Sequence, residues 1–258
     1  MMDILNAIIL GIVEGVTEFL PISSTGHLIL FNQWFNFSEE FTKLFDIVIQ
    51  SGAILAVIII FWKDLWPSKW SFGELENKWG KILAAFVITA IVGLLFGDIV
   101  QEKLFNAYVV AGALIFYGIV LLIIEKRNSK VTKQEISYKD AVIIGLVQSL
   151  ALVPGTSRSG ATIIGLLLLG YARPFAAKFS FLLAVPTLIA ASGYSLLKYN
   201  NGLSGNEVML LVIGFLVSLV SAYIVSKWFL SFISKNNFVP FAWYRIVLGV
   251  LVLIYFLI

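Results

Sequence analysis

The sequence predicts an all-α integral membrane protein: six transmembrane helices plus two re-entrant helix-loop-helix hairpins, arranged as an inverted-topology internal repeat. Three observations carry this expectation. The chain of 258 residues is 60% hydrophobic and 13% charged, with a mean hydropathy of +0.96, whereas a soluble domain has roughly a quarter of its residues charged and under half apolar. Six segments approach the length of about 20 apolar residues that a bilayer core requires of a helix. Two polar loops rich in Gly and Ser align without a gap at an offset of 134 residues. The composition excludes a soluble enzyme, a disordered chain and a secreted disulfide scaffold. With no cysteine there are no disulfides and no thiolate metal sites. The net charge of +3 is too small and too scattered to argue for a nucleic-acid partner, and none is expected.

The chain opens Met1-Met2-Asp3, and Glu14 interrupts the apolar run Ile4–Val13. A signal peptide has a basic start and a small-residue cleavage site, so this N-terminus is expected to belong to the mature protein. The six spans are Leu44–Trp62, Ile82–Gly97, Leu104–Ile124, Phe175–Leu197, Val208–Leu230 and Pro240–Ile258. Four apolar stretches are too short to cross: Ile4–Val13, Leu28–Phe37, Ala141–Val153 and Ala161–Tyr171. They come in two pairs, each flanking a polar loop, and short interrupted apolar segments at membrane depth suggest re-entrant hairpins. Trp62, Trp66, Tyr199, Trp228 and Trp243 near span ends read as interface anchors.

Basic residues set the orientation. Lys63, Lys69, Lys78 and Lys81 lie in one link, and Lys126, Arg127, Lys130, Lys133 and Lys139 in another two spans later. Both links are therefore expected on the cytoplasmic face, with Arg173, Lys178, Lys227 and Lys235. Lys103 and Lys198 fall on the opposite face, as do both termini.

In the repeat, Gly11-Ile12-Val13-Glu14 falls on Gly145-Leu146-Val147-Gln148, and Ser23-Ser24-Thr25-Gly26 on Ser157-Arg158-Ser159-Gly160. Pro21 and Pro154 sit one position out of register. Each half reads as a hairpin followed by three spans, an odd number, so the second copy is inverted and the hairpin tips should meet near the midplane. The expected organisation is a single membrane domain, 1–258, with repeat halves of about 1–130 and 131–258.

Glu14, Glu18, Arg158 and the single histidine, His27, fall inside the hairpins. An ionisable group there costs about 2.5–3.5 kcal/mol even on the most lenient scale and marks a functional site. Glu14 and Glu18 are spaced so that a helix puts both carboxylates on one face. Two such groups in low dielectric hold a divalent cation such as Mg²⁺ or Ca²⁺ between them, or one keeps a proton as a general acid or base. The loop Ser23-Ser24-Thr25-Gly26-His27 offers hydroxyls, turn N–H groups and a helix start as an anion cradle. A histidine beside serines permits attack by serine or by the imidazole itself, although a serine turn alone is usually a helix cap. The second loop, Gly155-Thr156-Ser157-Arg158-Ser159-Gly160-Ala161-Thr162, adds hydroxyls, close backbone approach and a guanidinium suited to phosphate oxygens. Arg158 could equally be an ion pair with Glu14 or Glu18.

These residues carry a resemblance. The run Glu14-Gly15-Val16-Thr17-Glu18-Phe19-Leu20-Pro21-Ile22-Ser23-Ser24-Thr25-Gly26-His27-Leu28 is similar to the first motif of bacterial undecaprenyl-diphosphate phosphatases of the bacitracin-resistance type. Pro154 through Thr162 is similar to their second motif, and Gln50-Ser51-Gly52-Ala53-Ile54-Leu55-Ala56 resembles a further recurrent segment, with Ser51 where leucine is common. The resemblance covers essentially the whole chain. It implies a multi-pass enzyme of the cell membrane, its site open to the outer side, that removes the terminal phosphate of undecaprenyl diphosphate. The monophosphate lipid carrier is thereby recycled for cell-wall synthesis, and bacitracin, which sequesters the substrate, is resisted. It further implies a divalent cation on Glu14 and Glu18, a nucleophile and its partner in Ser24 and His27, and diphosphate binding by Arg158. Ser23, Ser157, Ser159 and Thr162 become phosphate contacts or their supports.

Rival readings are a polyprenyl phosphate transporter or flippase, since inverted repeats are a transporter signature, and a phosphatidic-acid-type phosphatase, whose chemistry needs a second histidine. A structural membrane protein leaves the intramembrane charges without a purpose. A homodimer is compatible with the chain.

Overall fold

Apolar residues that must cross hydrocarbon fold as helices because only a helix satisfies its backbone within one segment. The computed structural model describes residues 2–32, 35, 37–66, 72–127, 133–199 and 202–257, and among these no strand occurs. Met1, Gln33, Trp34, Asn36, Lys69, Lys130 and Ile258, which entered the expectations above, lie outside the described residues.

The first short pair is α1 (Met2–Thr17) and α2 (Ser24–Phe31), and the first long helix is α3 (Glu39–Ile60). Two single turns follow, α4 (Trp62–Leu65) and α5 (Phe72–Leu75). Then come α6 (Lys81–Leu104) and α7 (Ala107–Arg127). The second short pair is α8 (Tyr138–Ser149), extended by a 3₁₀ turn at Leu150–Leu152, and α9 (Arg158–Leu168). Three long helices close the chain: α10 (Arg173–Lys198), α11 (Gly205–Ile233) and α12 (Val239–Leu257). Six helices (α3, α6, α7, α10, α11 and α12) are long and apolar enough to cross a membrane. They match the six predicted spans. With this composition, the chain is a multi-pass membrane protein.

Two boundaries differ from expectation. Helix α2, which begins the predicted stretch Leu28–Phe37, ends at Phe31 with Asn32 as its C-cap. The predicted stretch Ile4–Val13 continues as α1 past Glu14 to Thr17, because Glu14 is buried against protein and does not break the helix.

The starts of the elements follow local chemistry. Ser38, Ser137 and Ser204 cap α3, α8 and α11 by accepting an N–H of the first turn, and Glu207 returns the favour at Ser204 in a capping box. The loop helices α2 and α9 begin differently. Ser23 and Ser157 cap them with φ of 71° and 70°, the only non-glycine residues with positive φ among those described. That conformation costs about 1–3 kcal/mol and persists only where the surroundings enforce it.

Helix α1 lies along α11, and α8 lies along α6; α3 packs on α11 and α10, and α7 on α12. At one edge Glu125, at the end of α7, takes a forked ion pair from Arg173 at the start of α10 and a hydrogen bond from the Phe238 N–H just before α12. The α1–α11 contact is close because Gly15 has no side chain. A Cβ there would stand 2.6 Å from the Ser218 carbonyl and 2.8 Å from the Ala222 nitrogen.

Gly15→Val should therefore lower the thermal midpoint of the detergent-purified protein, by the equivalent of about 1–3 kcal/mol of overpacking. Gly112→Ala is the control, since a Cβ at Gly112 meets nothing within 4 Å, and it should leave the midpoint unchanged or raise it.

Candidate active site

The two strained serines begin the two loop helices where the loops face each other. Around them lies a cavity of about 220 Å³ lined by Glu18, Ser23, Ser24 and Thr25 from the first loop and by Pro154, Gly155, Ser157 and Arg158 from the second. Gln50, Thr89, Gln148 and Thr187 complete its polar wall; Ala151, Leu152, Leu188 and Ala191 form an apolar side.

Glu18 organises the centre. Although α1 ends one residue earlier, the Glu18 N–H still bonds the Glu14 carbonyl at 2.9 Å, so the helical spacing is kept. Its carboxylate accepts from Ser24 Oγ on Oε2 (2.5 Å) and from Arg158 Nη2 on Oε1 (3.1 Å). Both charged side chains are at least nine-tenths buried. Such a pair is worth having only if its remaining groups are satisfied. The Ser180 carbonyl accepts from Arg158 Nη1 at 2.9 Å, and the Phe19 ring lies 5.4 Å from the guanidinium. Arg158 Nε is buried without a partner.

The remaining candidates divide. Ser159 donates to the Leu20 carbonyl at 2.8 Å and shares a 3.0 Å contact with Ser157, tying one loop to the other. Thr162 donates to the Arg158 carbonyl, one turn back along α9. Gly26 and Gly160 give their N–H groups to the capping serines. Gly155 has φ of 89°, and a Cβ there would strike the Val110 backbone of α7 at 2.5 Å. Thr156 is fully buried. Glu14, Gly26, His27, Thr156, Ser159, Gly160 and Thr162 therefore support the cavity without lining it.

His27 differs most from expectation. Its Nδ1 contacts the Ser23 carbonyl at 2.8 Å and its Nε2 the Tyr244 hydroxyl at 2.7 Å, and its ring stacks on that tyrosine. Both nitrogens are thus engaged away from Ser24, whose partner is Glu18. Sequence proximity placed His27 one helical turn from Ser24, and the ring turns toward α12 instead.

Sequence reasoning missed Arg245. It lies near the middle of α12 and is 1% exposed. Its Nη1 donates to the Pro21 carbonyl (3.1 Å) and its Nη2 to the carbonyls of Gly155 and Thr156 (both 2.9 Å). One guanidinium thus holds the backbone of both loops. The signal was present: a lone arginine inside an apolar run of nineteen residues that already counted as a span.

The carboxylates suit a hard cation. Both oxygens of Glu14 are buried with no hydrogen-bond partner, and a carboxylate so placed needs a counter-charge. No group of three or more acidic or histidine side chains gathers among the described residues. A divalent ion held by Glu14 and Glu18 would draw its other oxygens from water or phosphate, as Mg²⁺ commonly does.

A family model described as Bacitracin resistance protein BacA matches residues 7–251. The chain belongs to this family. Curated relatives agree over nearly their full lengths. An undecaprenyl-diphosphatase of Enterococcus faecalis is 46% identical, covering 98% of this chain and 96% of the relative. Undecaprenyl-diphosphatase 1 of Clostridioides difficile is 46% identical, with 99% and 97% covered. An undecaprenyl-diphosphatase of Lachnoclostridium phytofermentans is 47% identical, with the same coverage. The residues that line the cavity of this BacA-family chain come from the two long motifs and from α3, α6, α8 and α10.

Removing the guanidinium should cost more than any exposed ion pair. Arg245→Met leaves the buried carbonyls of Pro21, Gly155 and Thr156 without this donor and should destabilise the protein by about 1–3 kcal/mol for each, read as a lowered unfolding midpoint. Lys43→Ala, which breaks the exposed pair with Glu39, should leave the midpoint unchanged.

Proposed function

We propose that this chain is an undecaprenyl-diphosphatase: it hydrolyses the terminal phosphate of undecaprenyl diphosphate, recycling the lipid carrier for peptidoglycan synthesis and conferring resistance to bacitracin. The observation that carries the reading to particular atoms is the Arg158–Glu18–Ser24 chain of hydrogen bonds at the wall of the cavity. A hydroxyl held on a carboxylate beside a guanidinium is a nucleophile, a base and a phosphate ligand in one place.

In this reading Ser24 Oγ attacks the terminal phosphorus and gives its proton to Glu18. The bond to the bridging oxygen breaks, undecaprenyl phosphate leaves, and a phosphoserine remains. Water then attacks the phosphoserine, inorganic phosphate departs, and the proton held by Glu18 returns to Ser24. Arg158 and the N–H groups at the starts of α2 and α9 stabilise the equatorial oxygens, the part that positioning and charge play in such transfers. His27 acts through Tyr244 and Ser23 as a support of the first loop. A divalent cation on Glu14 and Glu18 would supply further positive charge to the phosphate oxygens.

The two halves are read as an inverted repeat within one membrane domain, 1–130 and 131–258. The loops support this, since each opens on a serine of positive φ that caps a helix through a glycine three residues on. So does the exchange of partners, in which α1 of the first half lies on α11 of the second and α8 of the second lies on α6 of the first. The two loop segments are then re-entrant hairpins with tips in contact. The cavity faces the outer side, because Thr187, Leu188 and Ala191 lie in the half of α10 that ends at Lys198, away from the lysine-rich links. Transport alone gives the Ser24–Glu18 bond no purpose.

Purified protein should release phosphate from undecaprenyl diphosphate, and a chelator should abolish the release. Ser24→Ala and Arg158→Ala should each lower kcat by at least about 100-fold, the usual scale for a lost nucleophile or charge clamp. His27→Ala should lower it less than either. Wild-type turnover by Ser24→Ala would defeat the assignment of the nucleophile.

A further inference from the structure

Among the described residues, eight buried side-chain oxygens and nitrogens have no hydrogen-bond partner, and four of the eight lie on Glu14, Asn32 and Asp46. They are both oxygens of Glu14, Oδ1 of Asn32 and Oδ1 of Asp46. All four are acceptors, and acceptors do not satisfy one another. Asp46 lies in α3, and Asn32 is the C-cap of α2. Asn32 Nδ2 donates to Asp46 Oδ2 at 3.2 Å, which uses one atom of each group and leaves one oxygen of each open.

The fold brings Glu14 to the same region. Helix α1 packs on both α2 and α3. Gly11, one turn before Glu14, and Phe45, next to Asp46, meet the same residue of α11. A Cβ on Gly11 would stand 2.8 Å from the Gly214 carbonyl, and a Cβ on Gly214 would stand 2.5 Å from the Phe45 ring. The charge of Asp46 acts on Glu14, as do those of Glu18 and Arg158. The flanking side chains are apolar: Leu10 and Val13 of α1, Leu28 and Phe31 of α2, and Phe45 and Ile49 of α3 belong to one packed cluster. Glu14 is 1% exposed. Arg158 is committed to Glu18 at 3.1 Å, and each Glu18 oxygen already accepts a hydrogen bond. Two carboxylates are thus left in low dielectric, and such a pair needs a cation between them or a proton on one.

We propose that Asp46 and Asn32 join Glu14 in holding a hard divalent cation on the α3 side of α1. This rests on the diphosphatase reading and deepens it, by naming the protein oxygens that hold the ion from the side away from Ser24. The charges set the valence. Arg158 cancels Glu18, and the charges of Glu14 and Asp46 together balance one divalent ion and exceed a monovalent one. The atoms set the class, since carboxylate and amide oxygens are the ligands that Mg²⁺ and Ca²⁺ take. Asp46 and Asn32 do not line the cavity, so they position the ion and do not touch the substrate.

Isothermal titration calorimetry of the chelator-stripped, detergent-purified chain, with magnesium chloride and with calcium chloride, tests this without turnover. The wild-type chain should bind at least one of the two ions. That ion should raise its thermal midpoint, as a ligand specific to the folded state does. Asp46→Asn, which keeps the shape and an acceptor for Asn32, should bind the ion at least about tenfold more weakly, and so should Asn32→Leu. Without metal, Asp46→Asn should melt at or above the metal-free wild type, because one of two unbalanced charges is gone; the weaker binding is then not a failure to fold. Asp98→Asn, at an exposed pair with Lys198, should bind as the wild type does. No binding by the wild type overturns the proposal and leaves a proton on one acid. Wild-type affinity in Asp46→Asn, or the same loss in Asp98→Asn, overturns it too. So does a metal-free Asp46→Asn that melts below the wild type, which would make Asp46 a plain hydrogen-bond acceptor. A chain that binds the ion as expected but releases no phosphate from undecaprenyl diphosphate would instead defeat the function proposed above and leave the cation site standing.

Discussion

Buried irregular backbone is admissible only where protein groups satisfy its N–H and C=O groups, and here Arg245 does so for both loops at once. Its forked guanidinium takes the carbonyls of Pro21, Gly155 and Thr156. A lysine has one charged nitrogen on a flexible stem and could not span the three in fixed directions. Because a trans peptide points its N–H opposite to its C=O, turning the Thr156 carbonyl toward Arg245 turns the Ser157 N–H the other way. The clasp that closes the loops therefore also orients them. The left-handed conformations of Ser23 and Ser157 are the cost of that orientation, and the contact between Ser159 and the Leu20 carbonyl helps to hold them.

The ionic groups around the two loops differ in how their charge is met. Arg158 and Glu18 neutralise each other, and with Ser24, whose hydroxyl donates to Glu18, they line the cavity. Arg245 has no carboxylate partner and rests on carbonyl dipoles, which suits a group that shapes backbone. Glu14 is the unbalanced member, a buried carboxylate with two unbonded oxygens. Gln148, 134 residues further along the chain, carries no charge and is bonded to Thr89 and Thr187. The first loop brings the carboxylate and the hydroxyl of this hydrogen-bonded row, and the second brings the guanidinium.

Much of the chemistry was legible in the sequence because intramembrane charges are few and each must be explained. Glu18 and Arg158, singled out as charges inside the loop segments, and Ser24, singled out as a loop hydroxyl, are hydrogen-bonded in a row. His27 was legible as unusual but not in its orientation. Position along a helix says which turn a side chain starts from, not which neighbour it reaches, and here that neighbour is Tyr244, 217 residues away. Arg245 escaped notice because a single charge does not spoil an otherwise apolar run of nineteen residues. Thr162 and Ser159 looked like phosphate contacts by composition, yet their hydroxyls are spent on carbonyls.

By itself the sequence determined the class of environment, the number of long helices and the polar residue types of the two loops. These follow from hydrophobicity, length and turn chemistry, which act over a few residues at a time. Only the tertiary structure decided that Ser24 answers to Glu18 and not to His27, that α12 supplies the clasp, and that α3, α6, α8 and α10 wall the cavity together with the two loops. Those facts depend on which side chains from distant segments share a few cubic nanometres. A hydrogen bond is made or lost over a few tenths of an ångström, a distance that local patterns of sequence do not specify.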